Sequence, residues 1–260
     1  MKFKKAAVLL LSSVLLFSGF ISGSYASETV TSANSVIYQT VETKIITSGV
    51  TQDTITRYTE LGWQTIYVLK ADLNDSNVHI DSLTNGETIQ KPLSTTDHMK
   101  EWGAIAGINA SFFLSSDQTG MQNLIGPMVQ SHDLKTADAT FNRDKDNMAT
   151  FAIDDARSGL ISYWKADMRI YAPNGEYIEI ARYNEPYYGY SDFTVLDRKW
   201  TTTSVGTRNG YYSHVTEMIV EDGIVKEIRV NMPGTEIPLN GYVVITGKEN
   251  SPKILNNFKV

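Results

Sequence analysis

Apolar side chains in this chain recur mostly at every second position or in short runs, and seldom at helical spacing. Residues 63–69 and 78–83 alternate or run apolar on either side of the polar Asn74-Asp75-Ser76-Asn77 turn, which predicts two paired strands. Residues 94–102 predict a short helix with Ser94 or Thr95 as N-cap. Strands are expected at 148–153 and 158–164. Two hairpins have the strongest local signals: 168–171 with 177–181 around Pro173-Asn174-Gly175, and 216–220 with 224–230 around Asp222-Gly223. A last strand is expected at 241–246, after which the chain carries no capping helix in this reading. Residues 131–147 are polar and read as one long loop. The fold class is therefore α+β, strand-dominated, with mixed/antiparallel sheets and few helices.

One apolar run ends abruptly. In residues 103–113, GAIAGINASFF, Ala104, Ile105, Ala106 and Ile108 show no helical period and predict a strand buried on both faces. Asn109 stands at its end, beside the small Ala110 and Ser111 and the paired rings of Phe112 and Phe113. An amide at a strand end can face a ligand. Asn109 can equally cap a turn while Phe112 and Phe113 plug the core.

The surrounding residues favour the first alternative. Gly62 and Trp63 open a strand leading to Asp72-Leu73, a helical stretch ending at Trp102 precedes the run, and Gly126-Pro127 follows it. With Asn109, Phe112 and Phe113 these features resemble the phosphodiester glycosidase family, bacterial relatives of the enzyme that removes N-acetylglucosamine from a phosphodiester-linked sugar. The family motif is Asn-Gly-Asp-Phe-Phe or Asn-Gly-Gly-Phe-Phe, so Ala110 and Ser111 depart from it. The resemblance is closest over residues 50–134. It implies hydrolysis of a sugar-1-phosphodiester on a cell-surface or exopolysaccharide glycan, with Asn109 and Ser111 at the pocket edge and Phe112 and Phe113 as its wall. The family's Arg-Thr-Ala strand, Asp-Gly-Arg strand end and Asn-Leu-Asp-Gly-Gly-Gly-Ser motif do not occur here. The catalytic groups thus stay unassigned, and residues 49–260 are expected to be the first part of a longer domain. A non-catalytic wall- or exopolysaccharide-binding module is the alternative.

The ends and the charge narrow the setting. Lys2, Lys4 and Lys5 precede an apolar stretch over residues 6–21, and Ser24-Tyr25-Ala26 offers small residues where signal peptidase reads, so residues 1–26 are expected to be a signal peptide. Residues 27–48 read as a lead-in that becomes ordered near Val41. Cleavage leaves 20 basic and 29 acidic residues and a secreted or wall-associated product with no integral membrane segment. A net charge of −9 argues against nucleic acid and is compatible with a carbohydrate or sugar-phosphate ligand. The chain has no cysteine, so an exported product depends on its core rather than on disulfides.

Other constellations are weaker. His79, His98, His132 and His214 are scattered without the spacing of a zinc site. Residues 142–147 alternate oxygen side chains as a calcium loop does, but Asn147 replaces the turn glycine and Ile153 the bidentate glutamate. No metal site is expected, and no cofactor is identified. Tyr183, Tyr187, Tyr188, Tyr190, Phe193 and Trp200 form a dense aromatic run, suited either to sugar stacking or to packing. Asp72 and Glu217 fit structural roles within strand patterns.

Overall fold

Threonine and other β-branched residues dominate the chain from Val36 to Ala71, where they build a three-stranded antiparallel meander: β1 (Val36–Thr47), β2 (Val50–Thr59) and β3 (Gly62–Ala71). The computed structural model describes residues 35–84, 86, 88–89, 93–114, 123–138, 149–163, 166–186, 192–208, 210 and 212–260. These divide into two compact units, one within Met1–Ile80 and Gly103–Ala110, the other within Asp81–Trp102 and Ser111–Val260. The meander belongs to the first unit. Gly49 and Gly62, at φ of 69° and 105°, sit at its two turns, in a region that costs glycine little. A small core of Val50, Val78 and Ala106 lies against Ile46, Leu69 and Ala71.

The second unit begins with α1 (Thr95–Trp102) and two minimal strands, β4 (Phe113–Leu114) and β5 (Asn123–Leu124). Then come β6 (Met128–Gln130), β7 (Asp133–Asp138), the isolated hairpin β8 (Thr150–Ile153) with β9 (Gly159–Ser162), β10 (Met168–Tyr171), β11 (Tyr177–Tyr183), β12 (Phe193–Leu196), β13 (Thr216–Glu221), β14 (Ile224–Val230), β15 (Gly241–Thr246) and α2 (Ser251–Asn257). Its main sheet runs β14-β13-β15-β12-β11-β7-β6, with β10 beside β11. Only β11 and β12 pair in parallel among these strands, so the sheet is mixed. Alternation along β15 divides the core. Val243 and Ile245 join Leu196, Trp200, Ile219 and Ile237 on one face. Val244 joins Val195, Met218 and Ile178 on the other, which Ile254 of α2 and the following Phe258 help cover. The architecture is strand-dominated α+β, as the apolar alternation predicts.

Several expectations need correction. The partner of β3 is β2, from Val50↔Ala71 to Thr59↔Gly62, and residues 78–83 form no strand. Local bonds explain this: Asp72 Oδ1 accepts the Asn74 amide and Asp75 Oδ1 that of Asn77, each at 2.9 Å, which turns the chain away and leaves Val78 to fill the small core. Residues 104–108 form no strand either. Gly103, at φ 66°, redirects the chain after α1; Ala106 is buried, while Ile105 stays 40% exposed. Order begins before Val41, because β1 starts at Val36. The expected loop 131–147 contains β7, whose polar sequence hides a strand held by pairing with β6 and β11, preceded by a turn at Ser131 and His132; residues 139–147, with the calcium-like run, lie outside the described ones. A short helix, α2, does follow the last strand: Pro252 starts it and Ile254 anchors it.

Candidate functional site

Two glycines let two irregular segments of the second unit approach as closely as backbones can. Single bridges pair Thr203 with Glu236 and Gly206 with Pro233. A Cβ on Gly206 would lie 2.2 Å from the Gly234 nitrogen, and one on Gly234 would lie 2.1 Å from the Ser204 carbonyl oxygen. The Ser204 amide donates to the Thr235 carbonyl (2.7 Å), and the Thr235 amide donates to Ser204 Oγ (2.9 Å). Beside this seam is a cleft of about 280 Å³ lined by Trp200, Thr201, Thr203, Ser204, Arg208 and Gly234, among others.

Among the described residues, Arg208 is the one charged residue in that lining. Its φ of 43° is rarely adopted by a residue with a side chain, and the guanidinium has no hydrogen bond or ion pair among the described residues. Behind the wall, Glu217 is buried on β13. Its Oε1 accepts the Gly206 amide at 2.9 Å, and its Oε2 lies 3.5 Å from the Arg229 guanidinium. Burial pushes the Glu217 carboxyl above the usual carboxylate range, opposed by the Gly206 amide, the Ser204 hydroxyl and Arg229. Glu217 therefore fixes the seam from within, in keeping with the structural role expected for it.

Trp200 connects the cleft to a second polar cluster. It is 1% exposed, and its indole N–H donates to Asn123 Oδ1 at 3.1 Å; Asn123 Nδ2 donates to the Pro186 carbonyl at 2.8 Å. Next to Pro186, the buried Glu185 accepts weakly from the Gly126 amide. Burial, and secondarily the Asp138 carboxylate, push Glu185 up to about 8 against the opposing pull of Gly126 and Arg182. Arg182 bridges Asp138 and Asp192 at 3.3 Å each. Asn184, at φ 54°, donates to Asp197 Oδ1 and accepts the Asp197 amide, and Tyr183 donates its hydroxyl to the other Asp197 oxygen.

The residues singled out in the sequence are divided between the units. Asn109 is exposed in the first unit. Ser111, Phe112 and Phe113 are exposed in the second, with Phe112 at 67% and Phe113 at 60%. Neither ring plugs the core. Phe113 opens β4, which pairs with β5, and the Phe112 carbonyl accepts the Ile125 amide at 3.1 Å. The segment is thereby tied to Asn123, Leu124 and Ile125, the residues just before Gly126-Pro127. Of the aromatic run, Phe193 and Trp200 are buried and Tyr183 half-buried, whereas Tyr187, Tyr188 and Tyr190 lie outside the described residues. Sequence reasoning missed Arg208 and Glu185. The one available signal was glycine on both sides of Arg208, in Gly206-Thr207-Arg208-Asn209-Gly210.

Comparison with known proteins adds a fold and little else. No family model and no curated protein matches the chain. A crystal structure from Burkholderia pseudomallei K96243, named "Putative exported protein", superposes with a TM-score of 0.62 over 85% of this chain at 13% identity. The chain spans 66% of that protein's length, and at this identity the likeness is one of fold. No described helix is long and apolar enough to cross a membrane.

Proposed function

We propose that this is an exported, phosphodiester glycosidase-like protein that recognises a sugar-1-phosphodiester at the Trp200–Arg208 cleft. The observation that carries the reading is the Arg208 guanidinium, without a protein partner among the described residues, in a cleft that Thr201 and Thr203 also line. A phosphate oxygen would give it a charge-assisted partner, and the hydroxyls suit a sugar. A sugar phosphate leaves readily, so a cation that stabilises the departing charge contributes more than a strong acid would. Separately from the cleft, the resemblance implies sugar contacts for Asn109 and Ser111 and a ring face for Phe112 and Phe113, and each is tested by its own variant. Export is supported by the Lys-rich, apolar start ending in Ser24-Tyr25-Ala26, and the fold neighbour bears the name of an exported protein.

One observation favours the alternative of a non-catalytic glycan-binding module. Among the described residues no carboxylate lines the cleft, whereas sugar-bond cleavage ordinarily uses a carboxylate pair. Incubating the protein from Ser27 onward with uridine diphosphate N-acetylglucosamine, and titrating it with N-acetylglucosamine-1-phosphate, separates the readings. Sugar release abolished by Arg208→Ala supports hydrolysis, with Asn109→Ala testing the expected contact. Binding without release supports the module. Neither binding nor release overturns both.

A further inference from the structure

The meander of the first unit sorts its side chains unusually. Strand register puts Tyr38, Tyr58 and Trp63 in one row across β1, β2 and β3, and Thr40, Thr56 and Thr65 in the next row of the same face. The third row holds Glu42, Thr54 and Tyr67. The aliphatic row Val41, Ile55 and Ile66 lies on the opposite face, as do Asp53, Arg57 and Lys70. One face is thus aromatic and hydroxylated, the other aliphatic and charged.

The aromatic face is open and its rings brace one another. Trp63 is 66% exposed, Tyr67 63% and Tyr38 51%. Tyr58 lies 5.1 Å from Trp63 between ring centroids, and Tyr38 meets Trp63 edge-on at 6.0 Å. Trp63 and Tyr67 are four residues apart on β3, roughly 13 Å along the strand. The Thr65 side chain stands between them on the same face.

We propose that this face is a binding platform for an uncharged polysaccharide chain lying along β3, with pyranose faces on Trp63 and Tyr67 and threonine hydroxyls between them. Charge selects this occupant. The only charges on the three rows and the one beyond are Glu42 and Lys44, which have opposite signs. An acidic polymer would meet a protein of net charge −9 after cleavage, with no cationic cluster on this face to offset it. The aliphatic side chains that form the core of a protein–protein contact are on the other face. Tyr and Trp supply rigid, amphipathic area at low conformational cost. This proposal uses none of the cleft residues and stands independently of the sugar-phosphodiester reading.

Affinity electrophoresis of the secreted protein through gels containing hydroxyethylcellulose, glycol chitin or, as the acidic control, polygalacturonate tests it. The expected result is retardation by at least one neutral polymer but not by polygalacturonate. Trp63→Ala should weaken it at least tenfold and Tyr67→Ala several-fold, while Trp63→Phe keeps most of it and so separates lost stacking from lost folding. Gln64→Ala, on the opposite face of β3, should leave it unchanged, which ties the retardation to the aromatic face. Unretarded migration in both neutral gels overturns the proposal, as does a Trp63→Ala variant retarded like the parent. So does light scattering showing that the parent is a dimer and Trp63→Ala a monomer, because a second copy then occupies the face.

Discussion

The backbone amide of Gly126 lies 3.4 and 3.3 Å from the two side-chain oxygens of Glu185, 59 residues further along the chain. These contacts are long for charge-assisted hydrogen bonds, and they do not offset what burial and Asp138 cost the charged carboxylate. Glu185 therefore holds its proton to about pH 8.

That proton makes stability depend on pH. Below about pH 4.5 the carboxyl is protonated in both the folded and unfolded chains, and its contribution is fully present. As pH rises from there towards 8, the unfolded chain releases the proton and the folded one keeps it, so the unfolded state binds fewer protons and stability falls. Glu185→Gln keeps an acceptor for Gly126 without a charge to bury. Urea melts should show the variant gaining on the parent by on the order of 1 kcal/mol per pH unit between 5 and 8, with little difference at pH 4. Parallel curves would show that Glu185 titrates normally.

Asn123 satisfies both the Trp200 indole and the Pro186 carbonyl inside the protein. Asn123→Ala strands a buried donor and a buried acceptor, so a loss of roughly 2–4 kcal/mol is expected. It should be read as a lower urea midpoint with an unchanged slope.

Gly234→Ala places a methyl group 2.1 Å from the Ser204 carbonyl, which backbone cannot yield without opening the seam. A destabilisation of at least ~2 kcal/mol is expected. Gly175→Ala, with open space around it but φ 88°, should cost only ~1 kcal/mol. Equal costs would mean that conformation rather than crowding governs both.

Arg208→Ala removes a guanidinium with no partner among the described residues, so thermal unfolding should move by no more than about 0.5 kcal/mol. Calorimetric affinity for N-acetylglucosamine-1-phosphate should nonetheless fall at least tenfold. A large stability loss with unchanged binding would place the anion elsewhere.

Export has its own measurement. N-terminal sequencing of protein recovered from the medium should begin at Ser27; a start at Met1 contradicts cleavage after Ala26.

Local sequence determined the elements whose geometry is set by neighbouring residues. The β13–β14 hairpin forms where Asp222 and Gly223 adopt φ of 51° and 74°, α1 begins where Ser94 Oγ accepts the Asp97 amide, and β15 shows its alternating core. The same local reading brought residues 111–113 to notice, and the structure pairs Phe113 with Leu124 and Leu114 with Asn123. Tertiary structure alone decided the rest. The polar β7 is a strand because β6 and β11 pair with it. Residues 104–108 form no strand, and of them Ala106 joins the small core while Ile105 stays exposed. The pKa of Glu185, the close approach of Gly206 and Gly234, and the isolation of Arg208 depend on groups far apart in the chain. Burial and charge pairing are properties of what folding brings together, and no local pattern carries them.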